Sequence, residues 1–161
     1  MQLYHFLSSR LKRRINFLLL LLLPISNVNA TMVELQALSF GDFALVDNSV
    51  VSLLIIPYTT AVPWKTNKLF ILSNGQPGHY QLSGFPANTA LNISIPDFFL
   101  SLGGGGGGET FRIGQFTFDN MISDNSGEAL LKVGATLYSS GSNTAYVNGG
   151  HFGTMTITID F

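Results

Sequence analysis

The sequence predicts an all-β protein that folds as a single antiparallel β-sandwich. Several short segments alternate apolar and polar residues with a period of two, and turn-forming residues separate them every 8 to 12 residues or so. No segment beyond residue 30 sustains a helical period, and the 161 residues include 17 glycines. These observations exclude a helical bundle, and they exclude a parallel α/β sheet because such a sheet needs intervening helices.

The first thirty residues have the three-part pattern of a secretory signal peptide. An apolar core covers Ile15 to Ile25, and Val28-Asn29-Ala30 supplies the small residues of a cleavage site. The basic region before the core consists of Arg10, Lys12, Arg13 and Arg14. A membrane span is the alternative, but it needs about 20 apolar residues and this core has about half that number. We therefore expect residues 1–30 to be a signal peptide and residues 31–161 to be one secreted domain, located in the periplasm, at the cell surface or outside the cell.

Charge and composition restrict the partners of residues 31–161. Four basic and nine acidic residues remain after the leader, so the net charge falls from -1 to -5. This charge argues against nucleic acid and anionic membranes as partners. No later stretch is apolar enough to span a membrane. The absence of cysteine excludes disulfides and thiolate metal sites, so stability has to come from core packing.

The first half of the domain is predicted to contain five strands. The segment at positions 50–56 is apolar apart from Ser52, which is typical of a strand covered on both faces. Pro96 ends the last of the five. The predicted strands are Leu35 to Phe43, Val50 to Ile56, Leu69 to Leu72, Tyr80 to Ser83, and Ala90 to Ile95.

The second half is predicted to contain three strands, separated by turn-rich segments. Thr110 to Asp119 carries aromatic residues on both faces. Ala129 to Tyr138 places four apolar side chains on one face, namely Leu131, Val133, Ala135 and Leu137. Thr154 to Phe161 alternates cleanly, which predicts that Met155, Ile157, Ile159 and Phe161 face the core. The six glycines of Gly103 to Gly108 predict a mobile loop between strands.

Four segments resemble a bacterial secreted family of unknown function, family 4402, over roughly Leu38 to Phe161. The resemblance rests on Leu38-Ser39-Phe40-Gly41, Tyr80-Gln81-Leu82-Ser83-Gly84-Phe85-Pro86, Val133-Gly134-Ala135-Thr136-Leu137, and the closing stretch from Gly153 to Phe161. His151 departs from the pattern, because the family tends to carry an aromatic residue two positions before that glycine. The resemblance implies an immunoglobulin-like or pilin-like sandwich, similar to fimbrial and spore-coat subunits. It implies no chemistry, because the family has no established activity.

The candidate sites for phosphate and metal each have a plainer interpretation. The glycine run satisfies a phosphate-cradle pattern, but no Lys-Ser/Thr pair follows it. Oxygen ligands for calcium occur at Asp119, Asn120, Asp124, Asn125 and Glu128. Their spacing is not that of a calcium loop, and a solvated turn explains them more simply. His79 and His151 lack further ligands at fixed spacing, which makes a zinc site a poor hypothesis.

We assign no catalytic, cofactor-binding or metal-binding residue, since a G-x-S-x-G nucleophile motif is also absent. Trp64 is either a surface aromatic for a ligand or, as we expect, an aromatic that covers the core near a strand start. The segment Met32 to Ala37 alternates and is either a donor strand for a neighbouring subunit or the beginning of the first strand of a complete sandwich. We favour the second interpretation.

These observations lead us to expect a non-enzymatic, exported structural or surface-assembly protein of a bacterial envelope, similar to fimbrial subunits, that associates through its strand edges. The alternative is a secreted ligand- or glycan-binding sandwich whose site lies on loops such as Trp64 to Asn67 and Gly103 to Glu109. A secreted hydrolase with an unrecognised site is a further rival, which a histidine close to a carboxylate in a pocket would favour.

Overall fold

The computed structural model describes residues 29–59, 61–103 and 108–161. Nearly all of the predicted signal peptide and the middle of the glycine run lie outside these residues. The regular secondary structure of these residues consists of β-strands alone, so the predicted all-β class is confirmed. The thirteen strands of the described residues are β1 (Thr31–Gln36), β2 (Phe43–Leu45), β3 (Leu53–Ile56), β4 (Trp64–Lys65), β5 (Leu69–Ile71), β6 (Gly78–Ser83), β7 (Ala90–Ser94), β8 (Phe98–Leu102), β9 (Phe111–Thr117), β10 (Met121–Ile122), β11 (Ala129–Tyr138), β12 (His151–Phe152) and β13 (Thr158–Asp160).

An eight-stranded antiparallel sheet forms one layer, with the main strand order β1-β6-β11-β9-β8-β12. Strand β3 also pairs with β11, and β4 pairs with β3. Two smaller antiparallel sheets complete the fold, one of three strands in the order β10-β7-β13 and one of two strands, β2-β5. Both smaller sheets pack their apolar side chains against those of the large sheet, which makes the fold an antiparallel β-sandwich, as predicted. No helix among the described residues has the length and hydropathy needed to cross a membrane.

Strand β11 is the central strand of the large sheet. Its first half, up to Val133, pairs with β6, and its second half, from Ala135, pairs with β3 along the same edge. The opposite edge of the second half pairs with β9. The predicted limits of this strand, Ala129 to Tyr138, agree with the structure, and all four residues predicted to share its core face are buried.

The hydrophobic core consists of two clusters that β11 joins. The first contains Ala135 and Leu137 from β11, together with the buried residues Phe40, Leu54, Ile56, Leu69, Phe111 and Ile113. The second contains Leu131 and Val133 from β11, together with Tyr80, Leu82, Phe85 and Leu91. Sheet β2-β5 covers the first cluster and sheet β10-β7-β13 covers the second. One face of a single strand therefore holds the two ends of the sandwich together.

The aromatic residues on both faces of the predicted Thr110 to Asp119 strand are explained by a β-bulge. Gln115 has a positive φ of 47°, and the register with β11 shifts at this point. The bulge reverses the alternation, so Phe111 and Phe116 both reach the core although five positions separate them. The core therefore takes aromatic side chains from what a regular strand would present as opposite faces.

Three predicted strands have wrong limits. The strand predicted at Val50 to Ile56, covered on both faces, begins only at Leu53, and Val50 and Val51 are exposed. The first strand was expected at Leu35 to Phe43, but β1 ends at Gln36 and the chain is irregular until β2. The last strand was expected at Thr154 to Phe161, but only Thr158–Asp160 is a strand. Met155, Ile157 and Ile159 do pack against the second cluster, as their alternation predicts. Phe161 does not fill core space: its ring meets Phe85 edge to face, with more than half of its surface exposed.

Candidate functional sites on an edge strand and a sheet face

Strand β1 lies at one edge of the large sheet and is exposed on both faces. It pairs antiparallel with β6 of the same chain, with Val33 opposite Gln81. The exposed fractions of its apolar side chains are 46% for Met32, 56% for Val33 and 61% for Leu35. None of its residues belongs to either core cluster. Main-chain pairing with β6 is therefore its principal attachment to the domain.

Two side-chain contacts supplement this pairing, one near each end of β1. The hydroxyls of Thr31 and Ser83 lie 2.7 Å apart, and the Gln36 amide donates to the Pro77 carbonyl at 2.7 Å. The segment Met32 to Ala37, considered above as a donor strand, thus lies mostly within the edge strand of its own sheet. Because the side chains of β1 are already exposed, separating β1 from β6 would expose little additional apolar surface.

A second feature is a hollow of about 310 Å³ on the outer face of the large sheet. Strand register creates it, because Phe99 of β8 lies opposite Arg112 of β9, and Arg112 lies opposite Tyr138 of β11. Residues opposite one another on paired strands share a face, so these three side chains form a row across the sheet. The hollow is lined by Val51, Phe99, Glu109, Thr110, Arg112, Tyr138, Ser139 and Ser140.

Arg112 is held in the middle of the row by two neighbours. Its guanidinium carbon lies 3.9 Å from the centre of the Tyr138 ring, and its Nη1 donates to the Asp97 carboxylate at 2.5 Å. Asp97 can lie over β9 because position 114 is a glycine: a Cβ on Gly114 would come within 3 Å of the carboxylate. Both ion-pair partners are partly exposed, so the pair orients the guanidinium more than it stabilises the fold.

The opposite wall of the hollow is formed by a loop, residues 139–144, which is fixed by hydrogen bonds to Asn48 and Tyr146. Asn48 is buried; its amide donates to the Ser140 hydroxyl and the Thr144 carbonyl, each at 2.8 Å, and its carbonyl accepts from the Gly141 amide at 3.0 Å. The Tyr146 hydroxyl accepts from the Ser140 amide at 2.8 Å and donates to the Thr110 carbonyl at 3.1 Å. These hydrogen bonds anchor the loop to the buried Asn48 side chain and to the Tyr146 hydroxyl, and so fix the wall.

Glu109 places its carboxylate against this loop. Its Oε1 accepts a hydrogen bond from the Ser142 hydroxyl at 2.7 Å. The hydroxyls of Ser142 and then Ser140 hold the pKa of Glu109 below its ordinary value, because hydrogen bonds to the charged form favour it. The charged residues that line the hollow are Glu109 and Arg112, one of each sign. Asp97, which accepts from Arg112, is not among the lining residues.

The residues considered for calcium serve as turn and surface groups. The Asp124 carboxylate accepts from the amides of Ser126 and Glu128 at 2.8 and 2.9 Å, which closes the turn before β11. The amide of Glu128 and the hydroxyl of Ser126 are the main causes that lower the pKa of Asp124 from 3.8. The Asp119 carboxylate accepts from the Tyr58 hydroxyl at 2.9 Å. Among the described residues, no three side chains of the ligating types lie together in a way that could hold a metal ion.

The two histidines considered for zinc lie on different strands, β6 and β12, which are four strands apart in the sheet order. The His151 ring packs edge to face on Phe111 at 5.1 Å and near Tyr146, in the aromatic position that the family resemblance implied. Its Nδ1 lies 3.1 Å from the Gly149 carbonyl, and its Nε2 is buried with no partner among the described residues. Neither histidine lines the hollow.

Trp64 does not cover the core, contrary to our expectation. It lies in β4, a two-residue strand that pairs with β3 at the margin of the large sheet, and half of its surface is exposed. Both residues of β4 are exposed, so the indole remains at the surface. The other loop considered for ligand binding, Gly103 to Glu109, contributes Glu109 to the lining of the hollow. Strand register, which brings Phe99, Arg112 and Tyr138 together, has no local signature in the sequence.

Comparison with known proteins gives one result. A family model described as Domain of unknown function (DUF4402) matches residues 30–161. No curated protein and no solved structure gives a significant match.

Proposed function

The chain belongs to the DUF4402 family, and on that premise we propose that it is an exported, non-enzymatic subunit that assembles at a bacterial cell surface through strand β1. The observation that carries the proposal is the two-sided exposure of β1. Main-chain hydrogen bonds to β6 do not depend on which copy supplies the strand, so β1 of one subunit can pair with β6 of the next.

Side-chain burial supports exchange of β1 in preference to the other edge strand. Strand β12 carries His151, whose ring packs against the first core cluster, whereas β1 contributes nothing to either cluster. Releasing β1 therefore costs its hydrogen bonds to β6, and a second copy restores the same bonds. Contact between neighbouring subunits would bury part of the exposed Met32, Val33 and Leu35 side chains. This burial favours the assembled state over the closed monomer.

The test uses the natural absence of cysteine. One sample of the full chain carries Val33→Cys and another carries Gln81→Cys; these positions face each other across β1 and β6. The two proteins are mixed, incubated and oxidised, and then separated by mass on non-reducing gels. A mixed disulfide between the two chains is the expected product, because only exchange of β1 brings one chain's position 33 against the other's position 81.

A matched control replaces Gln81→Cys by Leu72→Cys, which is at least as exposed and lies away from this edge. The mixed 33–81 product should exceed the 33–72 product severalfold. Equal yields of the two products would refute exchange of β1. Preferential 33–33 dimers would instead indicate pairing between two β1 edges, and they would refute the proposed partner strand.

The export part of the proposal rests on the leader pattern before residue 31. N-terminal sequencing of the protein recovered from its own cells tests it, with a start at Thr31 expected. An intact N-terminus at Met1 in the cytoplasmic fraction would contradict export.

A second candidate function is ligand or glycan binding, and the exposed Trp64 indole favours it. A glycan array probed with the full chain should show a response that Trp64→Ala removes. A response of equal strength in Trp64→Ala would exclude the Trp64 to Asn67 loop as the binding site.

A further inference from the structure

The hollow on the outer sheet face has the features of a ligand site independent of β1. Phe99 presents an exposed ring at one end of the row, and the fixed loop at residues 139–144 forms the other wall. Its volume of about 310 Å³ lies at the lower end of the range of roughly 300 to 1,000 Å³ typical of small-molecule sites. The walls are fixed by contacts within the chain, so the site is formed before a ligand arrives.

The charges of the hollow restrict the ligand class. Arg112 repels a cation at the centre of the row, and the Glu109 carboxylate repels an anion at the wall of the hollow. A neutral molecule remains, and its hydroxyl groups have to donate to the Glu109 carboxylate. The Arg112 guanidinium keeps N–H donors beyond the one given to Asp97, and these require acceptor oxygens on the ligand.

The aromatic surface adds the final requirement. The Phe99 ring is 57% exposed and offers an apolar face beside these polar groups. A ligand that stacks on it needs a flat apolar face of C–H groups on the same ring that bears the hydroxyls. A neutral pyranose has both. We propose that the hollow binds a neutral saccharide residue, stacked on Phe99 and hydrogen-bonded to Glu109 and Arg112.

The experiment is saturation-transfer NMR on the full chain, with glucose, galactose, mannose and N-acetylglucosamine as neutral probes. Glucuronic acid and glucosamine serve as anionic and cationic probes of similar size. At least one neutral sugar should give a signal that exceeds those of both charged sugars. Absence of signal from all four neutral sugars, or an equal signal from either charged sugar, would overturn the proposal.

Phe99→Ala locates the site, and Phe70→Ala is the matched control because that ring is 50% exposed on another strand outside the hollow. Loss of the stacking ring should weaken binding about tenfold, whereas the control should leave binding unchanged. Unchanged binding in Phe99→Ala, or a loss seen only in Trp64→Ala, would place the ligand elsewhere and refute the site.

Glu109→Gln gives a second readout that does not depend on the stability of Phe99→Ala. The amide oxygen still accepts the Ser142 hydroxyl, but the positive charge of Arg112 is then the only charge on the lining. The signal of glucuronic acid relative to the best neutral sugar should therefore increase severalfold. An unchanged ratio would show that Glu109 does not face the ligand, and it would refute its proposed role.

Discussion

Replacement of Phe111 by alanine removes a buried aromatic side chain from the first core cluster. Phe111 is 3% exposed; its ring stacks on Tyr146 at 4.0 Å and meets Phe43 and His151 edge to face at 5.3 and 5.1 Å. Burial of such a ring and the cavity that it leaves correspond to about 3 to 5 kcal/mol. We expect Phe111→Ala to lower the free energy of unfolding by about 4 kcal/mol, because three aromatic contacts are lost together.

Urea denaturation followed by circular dichroism measures this loss, and Phe70→Ala is the control. Phe70 is half exposed, so its replacement should cost less than about 1 kcal/mol. For a domain of this size, 4 kcal/mol corresponds to a fall of about 12 to 20 °C in the melting temperature. A loss for Phe111→Ala below about 1.5 kcal/mol, or one equal to that of the control, would refute the packing of the first cluster described above.

Three other predictions concern single positions. Gly134→Ala should lower the free energy of unfolding by about 3 kcal/mol in urea denaturation, because its Cβ meets the backbones of Ile56 and Tyr58 within 3 Å; a loss under about 1 kcal/mol would contradict this close approach. His151→Phe should leave the free energy of unfolding within about 1 kcal/mol of the wild type, because removal of the unpartnered Nε2 offsets loss of the exposed contact between Nδ1 and the Gly149 carbonyl; a larger loss in the same assay would contradict this balance. Asp124→Asn should melt below the wild type above pH 3.8, and the difference should shrink as the pH falls through the lowered native pKa of Asp124; a difference independent of pH would exclude the charge as its cause.

The sequence predicted strands best where alternate apolar residues line one buried face. Strand β11 shows this most clearly, because its alternate residues from Leu131 to Leu137 are apolar and buried. The burial of Thr136 on its other face was not predicted. Strand β1 is exposed on both faces, so its alternation carried no information about burial and its limits were misplaced. The β-bulge at Gln115 changes which side chains face the core, and its positive φ is a backbone property with no signature in the side-chain pattern.

The hollow could not be predicted from the sequence for a different reason. Phe99, Arg112 and Tyr138 are 13 and 26 positions apart, and only the register of three strands places them in one row. The exposure of Trp64 was also missed, because an aromatic residue next to a strand has the same local pattern whether or not another layer covers it. Both cases depend on long-range pairing, which periodicity does not report.

The proposed assembly through β1 is tested most directly by the mass of the native particle. The protein is released from its own cells without denaturant and measured by size-exclusion chromatography with light scattering, beside a chain that lacks Met32 to Ala37. We predict a ladder of polymers for the complete protein and a monomer for the deleted one, with circular dichroism showing that both remain β-folded. A monomeric native protein, or polymers that persist after the deletion, would contradict assembly through β1.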